Sequence, residues 1–102
     1  MLATYLYSMD ITHKHDSSGG SFFIEGTGKK LGELTYSNVS DALITIDHTE
    51  VSEELKGKGA GKQLVSAAVD FARKNKLTVK LQCSFAKSVF ERVREFQDVL
   101  KP

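Results

Sequence analysis

The sequence predicts an α/β (α+β) fold, with a mixed, mainly antiparallel sheet that leads into a strand–loop–helix–strand–helix carboxy-terminal half. Three observations predict it. Apolar residues alternate in short segments up to residue 51, glycines crowd residues 54–64, and the apolar period then changes to that of a helix. At 102 residues the chain has the length of one domain with a modest core, so we expect a single domain over 1–102.

The amino-terminal half predicts an antiparallel meander. Residues 1–9 suit a first strand or an arm, and residues 13–20 form a turn that breaks at Gly19-Gly20. Strands are predicted over 21–25, 31–37 and 42–51, of which the last is the longest and the richest in β-branched residues. The turns that separate them, 26–30 and 38–41, are short, and short turns join antiparallel neighbours.

The carboxy-terminal half predicts two helices around one more strand. The first helix follows the glycines and carries an apolar face made by Leu64, Ala67, Ala68, Phe71 and Ala72. A strand over 78–83 follows, and a right-handed crossover would set it parallel to the strand over 42–51. Ser84 is the expected N-cap of the second helix, whose apolar stripe consists of Phe85, Val89, Phe90, Val93 and Phe96.

Composition excludes several classes of protein. The net charge of +1 predicts no nucleic-acid partner and no anionic membrane partner. No apolar run has membrane-spanning length, and the amino terminus lacks a signal-peptide pattern. The single cysteine, Cys83, cannot form an internal disulfide, so we expect a cytoplasmic protein.

The glycine-rich stretch is the strongest functional signal. Gly57, Gly59 and Gly61 lie between a predicted strand and a predicted helix, where glycine lets the backbone approach a ligand closely. The unpaired N–H groups and the positive dipole end of the helix would face that ligand, and lysines lie nearby. The pattern therefore predicts a site for a phosphate or pyrophosphate.

The spacing of the stretch separates three kinds of phosphate loop. A nucleotide P-loop requires G-x-x-x-x-G-K-[ST], but Lys56 replaces its first glycine and Gln63 its hydroxyl. A dinucleotide G-x-G-x-x-G loop does not fit either. The pattern [QR]-x-x-G-x-[GA] remains, and residues 56–61 match it with lysine in the first position.

This loop resembles the acyl-CoA pyrophosphate loop of the GCN5-related N-acetyltransferases. Two neighbouring elements strengthen the resemblance: His48-Thr49-Glu50-Val51 on the strand before the loop, and Cys83-Ser84-Phe85 after the next strand. Together they cover residues 32–96 and are similar to a small, stand-alone acetyltransferase-like family. The resemblance implies a minimal acetyltransferase fold that uses acetyl-CoA and an unidentified amine, which is either a small molecule or a protein.

The resemblance also implies a cofactor site. The pyrophosphate is expected on a continuous run of residues: Lys56, Gly57, Lys58, Gly59, Ala60, Gly61, Lys62 and Gln63. Backbone groups of Glu50 and Val51 would pair with the pantetheine amides. Ser84, Phe85 and Lys87, at the start of the second helix, would complete the site, and no metal is implied.

His48 and Cys83 are the candidates for chemistry. Either the Cys83 thiolate accepts the acetyl group with His48 as base or ion-pair partner, or the amine attacks acetyl-CoA directly and His48 takes its proton. A structural interpretation stays open, because Cys83 shares a face with Val79 and Leu81, and His48 has the same parity as Ile44 and Ile46.

Residues 84–102 contain no tyrosine to protonate a departing CoA thiolate, although many larger acetyltransferases use one on their last helix. A catalytically weak or inactive CoA-binding module is therefore the alternative, and a small nucleotide-binding protein is a third hypothesis. The segment His13-Lys14-His15-Asp16 and the charged residues 91–95 are interpreted as solvated surface rather than as sites.

Overall fold

A computed structural model describes residues 10–26 and 28–102 as one mixed sheet with two helices. The strands follow the sheet order β1 (Ile11–His15), β2 (Gly19–Gly26), β3 (Lys29–Ser40), β4 (Leu43–Val51) and β5 (Thr78–Leu81). The helices are α1 (Ala60–Lys74) and α2 (Ser84–Arg92), with 3₁₀ helices at Glu53–Leu55 and Arg94–Val99. Strands β1 to β4 pair antiparallel and β5 pairs parallel with β4, which confirms the predicted mixed sheet.

The turn predicted over residues 13–20 is too long, because β1 continues to His15 and β2 begins at Gly19. The His13 ring stacks on Phe22 with a centroid distance of 4.0 Å, and this packing favours an extended strand at the sheet edge. The actual turn is held by Asp16, whose carboxylate accepts hydrogen bonds from the backbone of Ser18 and Gly19 at 2.8 and 3.2 Å. Gly19-Gly20 begins β2 rather than breaking a hairpin, and the prediction for residues 1–9 lies outside the described residues.

The turn predicted over residues 38–41 is too long, since β3 continues to Ser40. The Asn38 side-chain amide donates a hydrogen bond to the Ser17 carbonyl at 3.1 Å, and its backbone N–H donates to the Ser18 carbonyl at 2.8 Å. These bonds tie the end of β3 to the β1–β2 turn. As a result β3, with 12 residues, is the longest strand instead of β4, which has 9.

One hydrophobic core lies between the sheet and the helices. Leu34, Ile44 and Ile46 from the sheet are almost completely buried against Leu64 and other apolar residues of α1. The predicted apolar face of α1 is confirmed at Leu64, Ala68 and Ala72, and it is wider than predicted because Val65 and Val69 are buried too.

The second helix differs from its prediction at both ends. Cys83, not Ser84, is its N-cap, and Ser84 is the first helical residue. The helix ends at Arg92 because Val93 adopts an extended backbone, and Phe96 reaches the core from the following 3₁₀ helix. Phe85 is 38% exposed and so does not belong to the core stripe.

A β-bulge in β4 decides which side chains reach each face of the sheet. Tyr36 pairs with Ile46 but Thr35 pairs with His48, so Asp47 is an extra residue in β4. Leu34 and Tyr36 face α1, and the alternate residues of β3 face away from it. His48 therefore lies on the face away from α1. The prediction that His48 shares a face of the sheet with Ile44 and Ile46 is wrong.

The sheet opens where β4 and β5 diverge. Their pairing ends at Ile46 and Leu81, followed by one hydrogen bond from the Gln82 N–H to the Ile46 carbonyl at 3.0 Å. Within the described part of the chain, residues 47–51 have no strand partner on the β5 side. This gap separates His48-Thr49-Glu50-Val51 from Cys83-Ser84-Phe85.

In the ranges 10–26 and 28–102, no helix is long and apolar enough to span a membrane.

Candidate functional site

The glycine loop has the backbone conformation that its sequence requires. Gly57 and Gly59 have φ values of 79° and 77°, in the left-handed region that favours glycine. Open space lies beside both α-carbons, with no atom within 4 Å of the position that a Cβ would occupy. Gly59 is the N-cap of α1 and supplies no side-chain cap. The loop therefore presents bare backbone at the positive end of a fifteen-residue helix.

The amide of Gln63 is not part of this set of exposed groups. Its N–H donates to the Gly59 carbonyl at 3.0 Å, inside the first helical turn. The N–H groups at the start of α1, on Ala60, Gly61 and Lys62, precede that bond. The helix consequently offers its first turn, and not Gln63, to an anion.

The lysines of the loop differ in their placement. Lys56 and Lys62 line a cleft beside the loop, whereas Lys58 does not. Lys56 also forms an exposed ion pair with Glu53 at 2.8 Å. Because exposed ion pairs contribute little to stability, this lysine can exchange Glu53 for a ligand phosphate at low cost.

Gly61, the third glycine of the loop, leaves room for an aromatic ring. A Cβ on Gly61 would collide with the Phe85 ring, which lies directly against the first turn of α1. The partly exposed ring thereby forms one wall of the cleft and connects the start of α2 to the glycine loop.

The cleft joins the end of β4 to the loop and to α2. It encloses about 550 Å³ and is lined by Thr49, Val51, Leu55, Lys56, Gly57, Gly59, Ala60, Gly61, Lys62, Phe85 and Arg92. Most of the cofactor residues expected from the sequence therefore come together. Five of the expected residues do not line this cleft, namely Glu50, Lys58, Gln63, Ser84 and Lys87, and Glu50 lines a different one.

Arg92 is a cleft residue that sequence reasoning missed. The charges of residues 91–95 predict an exposed helix surface, yet the Arg92 side chain lines the cleft from the last turn of α2. A signal was present in the sequence, since Arg92 follows Phe85 by seven residues and two helical turns bring such residues to one face.

Cys83 lies at the opening between the strands, half-buried, as the N-cap of α2. Burial disfavours its charged form. That penalty is outweighed by polar groups around the sulfur, namely the Ala86 N–H, the Thr49 hydroxyl and the Phe85 N–H, and they lower the pKa of the Cys83 thiol. A thiol with a lowered pKa at a helix amino terminus has the surroundings of a reactive cysteine.

Thr49 is the second residue that sequence reasoning missed. Its hydroxyl oxygen is buried and makes no hydrogen bond of ordinary geometry to a protein group, although it lies close enough to influence Cys83. It also lines the cleft. The sequence signal for Thr49 was its place in the motif His48-Thr49-Glu50-Val51, directly after the titratable histidine.

The structure does not bring His48 to Cys83. The bulge turns the His48 side chain to the opposite face, where it is exposed and has no side-chain partner among the described residues. Within that same part of the chain, no group of three or more His, Cys, Asp or Glu side chains is arranged to hold a metal ion.

A mixed sheet that opens beside a glycine loop at a helix start is the arrangement of an acyltransferase. The sequence model for GCN5-related N-acetyl-transferases matches residues 21–99, which is most of the chain. The chain belongs to the GCN5-related N-acetyltransferase family. It is 32% identical over 88 residues to the NATD1 protein of Xenopus tropicalis, a match that covers 81% of each chain.

Solved structures agree with this family. A GCN5-like N-acetyltransferase from Staphylococcus aureus, determined by NMR, is 39% identical and superposes with a TM-score of 0.72 over 91% of this chain and 88% of that one. The ribosomal-protein-alanine N-acetyltransferase of Brucella melitensis shares the fold, with a TM-score of 0.63 at 18% identity over 76% of this chain and 62% of that one. The predicted fold, family and acyltransferase class are confirmed.

Proposed function

We propose that the chain transfers an acetyl group from acetyl-CoA to an amine, with acetyl-CoA held in the cleft between β4, the glycine loop and α2. The observation that carries this proposal is that one cleft extends from the loop to Thr49, the neighbour of Cys83. The cleft therefore runs from an anion site to the surroundings of a thiol with a lowered pKa, and a phosphate-bearing thioester requires both.

The residues present fit such a substrate. The open space beside Gly57 and Gly59 leaves room for a pyrophosphate close to the backbone, and Lys56 and Lys62 add positive charge. The unpaired stretch of β4 over residues 47–51 offers backbone groups to the amides of a pantetheine arm. Lys56 in place of Arg or Gln is compatible with this function, because the backbone does most of the binding.

In the proposed reaction, Cys83 carries the acetyl group. Its thiolate sulfur attacks the thioester carbonyl of acetyl-CoA, a new C–S bond forms, and the bond to the CoA sulfur breaks with release of CoA thiolate. The acceptor amine then attacks the acetyl-Cys83 carbonyl and loses a proton to solvent or a neighbouring base. The C–S bond to Cys83 breaks, which regenerates the thiolate and yields the amide.

A CoA-binding module without catalysis is the second candidate, and one observation favours it. Residues 84–102 include no tyrosine that would protonate a departing CoA thiolate. The cysteine route lessens this difficulty, since one thiolate replaces another in the exchange and that step needs no net proton transfer.

Two measurements on the intact protein test the proposal. CoA should raise the melting temperature more than ATP does at the same concentration, because the loop lacks the features of a nucleotide P-loop. Chromatography should then show release of CoA from acetyl-CoA when 1,4-diaminobutane is present, and Cys83→Ser should abolish it. Binding of CoA without turnover would support the module instead, and stabilisation by ATP alone would contradict both.

A further inference from the structure

A second cleft of about 450 Å³ lies beside the end of β4. It is lined by Lys30, Leu31, Gly32, Glu33, Glu50, Val51 and Ser52, and shares only Val51 with the cleft beside the glycine loop. The two clefts therefore meet at the end of β4, next to the gap in the sheet. A ligand in each would approach the same point from different directions.

The second cleft contains a pair of like charges that the fold does not need. Glu33 and Glu50 are directly opposite each other in the β3–β4 register, and both side chains point away from α1. Like charges in such a pair destabilise a sheet. Lys30 balances Glu33, with its Nζ 3.0 Å from a carboxylate oxygen, but Glu50 has no ion-pair partner among the described residues.

An independent observation points to a ligand at the same place. The Ser52 hydroxyl oxygen exposes less than 1 Å² to solvent, has no hydrogen-bond partner in the described part of the chain, and belongs to a residue that lines this cleft. A buried hydroxyl without a partner costs free energy that a ligand hydrogen bond would recover. The exposed His48 lies two residues before Glu50, on the same face.

We propose that this cleft binds the aliphatic ammonium group of the acceptor, with the Glu50 carboxylate as its counter-ion and the Ser52 hydroxyl as a hydrogen-bond acceptor. The group must then lose one proton to solvent before its nitrogen attacks the acetyl-Cys83 carbonyl. This inference rests on the proposed acetyl transfer and names its substrate class. The acceptor carries its amine on an aliphatic chain, as a lysine side chain or a diamine does. A substrate that carries a free carboxylate next to its amine is disfavoured, because Glu33 and Glu50 would repel the substrate carboxylate.

Amide chemical shifts of the ¹⁵N-labelled full chain, saturated with CoA, test this site. Addition of 1,4-diaminobutane should shift the amides of residues 30–33 and 50–52, and butane-1,4-diol, which lacks the charge, should not. Nα-acetyl-lysine amide tests the lysine source separately. If it binds more tightly than the diamine, the acceptor is a lysine side chain, and the reverse order identifies a diamine.

Glu50→Gln should weaken diamine binding about tenfold or more, the loss expected for one charge-assisted hydrogen bond. Glu91→Gln is the matched control, since Glu91 is exposed on α2 and lines neither of the two clefts. Unchanged affinity in the Glu50→Gln variant, or shifts confined to other residues, would overturn the inference.

The same samples separate the two proposals. CoA alone should first shift the amides of residues 57–62. If it does not, the proposed function fails. If CoA shifts them but no amine shifts residues 30–33 and 50–52, only the acceptor site fails.

Discussion

At the scale of single residues, the site depends on the neighbours of Cys83. The sequence singled out Cys83 as a candidate for chemistry, but His48, the partner it assigned, does not lie beside it. Thr49 lies beside the thiol, and His48 points to the other face because of one extra residue at Asp47. A bulge has no reliable sequence signature, so parity counted along β4 could not place these two side chains.

We expect Thr49→Val to raise the pKa of the Cys83 thiol, because the variant keeps the shape of the side chain and removes the hydroxyl that lies near the sulfur. Thr49→Ser should retain the low pKa, and His48→Ala should leave it unchanged. The pH dependence of the iodoacetamide alkylation rate measures this pKa directly. A Thr49→Val profile that superposes on the wild-type profile would show that the backbone N–H groups alone stabilise the thiolate.

A second prediction concerns the contact between Gly61 and Phe85. Gly61→Ala should push the Phe85 ring outward, at a cost in stability of about 1 kcal/mol or less, since the ring is partly exposed and free to move. The displaced ring would narrow the cleft. The binding free energy of CoA should therefore fall by more than the free energy of unfolding does. Calorimetric titration with CoA measures this loss.

Phe85→Ala in the Gly61→Ala background is the matched control. It restores space above the helix start, and CoA affinity should recover at least in part. If affinity stays low in the double variant, then the Cβ itself obstructs the substrate and the ring is not the cause.

At the scale of elements, the order of strands and helices was largely predictable. Alternating apolar residues located β2, β3 and β4, and the strand–helix–strand rule gave the parallel pairing of β4 with β5. β1 was missed because polar residues dominate its sequence and turn-forming residues follow it directly. Its stability comes from ring packing across the sheet, which local propensity does not report.

The packing of β1 predicts a dependence on pH. His13 stacks on Phe22, and its Nε2 lies 2.6 Å from the Tyr36 hydroxyl. Burial, with a contribution from the charge of His15, lowers the pKa of His13 below its ordinary 6.5. The neutral form is therefore favoured in the folded state. We expect this contribution to be complete above pH 6.5 and to be lost as the pH falls through the lower folded pKa.

Urea denaturation at pH 7.5 and pH 5.0 measures this loss, and His13→Phe should reduce it by removing the titrating group while keeping an aromatic ring. If the variant loses as much stability between the two pH values as the wild type does, other groups are responsible for the acid sensitivity.

At the scale of the whole molecule, a small sheet opens at one place and carries a cleft on either side of the β4 end. The glycine spacing predicted the loop that leads into α1, and the φ angles near 80° at Gly57 and Gly59 agree with the need for glycine there. The acceptor side was not predictable in this way. It depends on the register of β3 against β4 and on a hydroxyl whose burial appears only in three dimensions.

The most direct test of the central claim is the mass of the intact protein after incubation with acetyl-CoA in the absence of an acceptor amine. We predict an increase of roughly 42 Da, one acetyl group, that peptide mapping locates on Cys83 and that added 1,4-diaminobutane removes. Cys83→Ser should not give this amine-labile adduct. An enzyme that acetylates the diamine with no adduct on Cys83, and with full activity in the Cys83→Ser variant, would contradict the account.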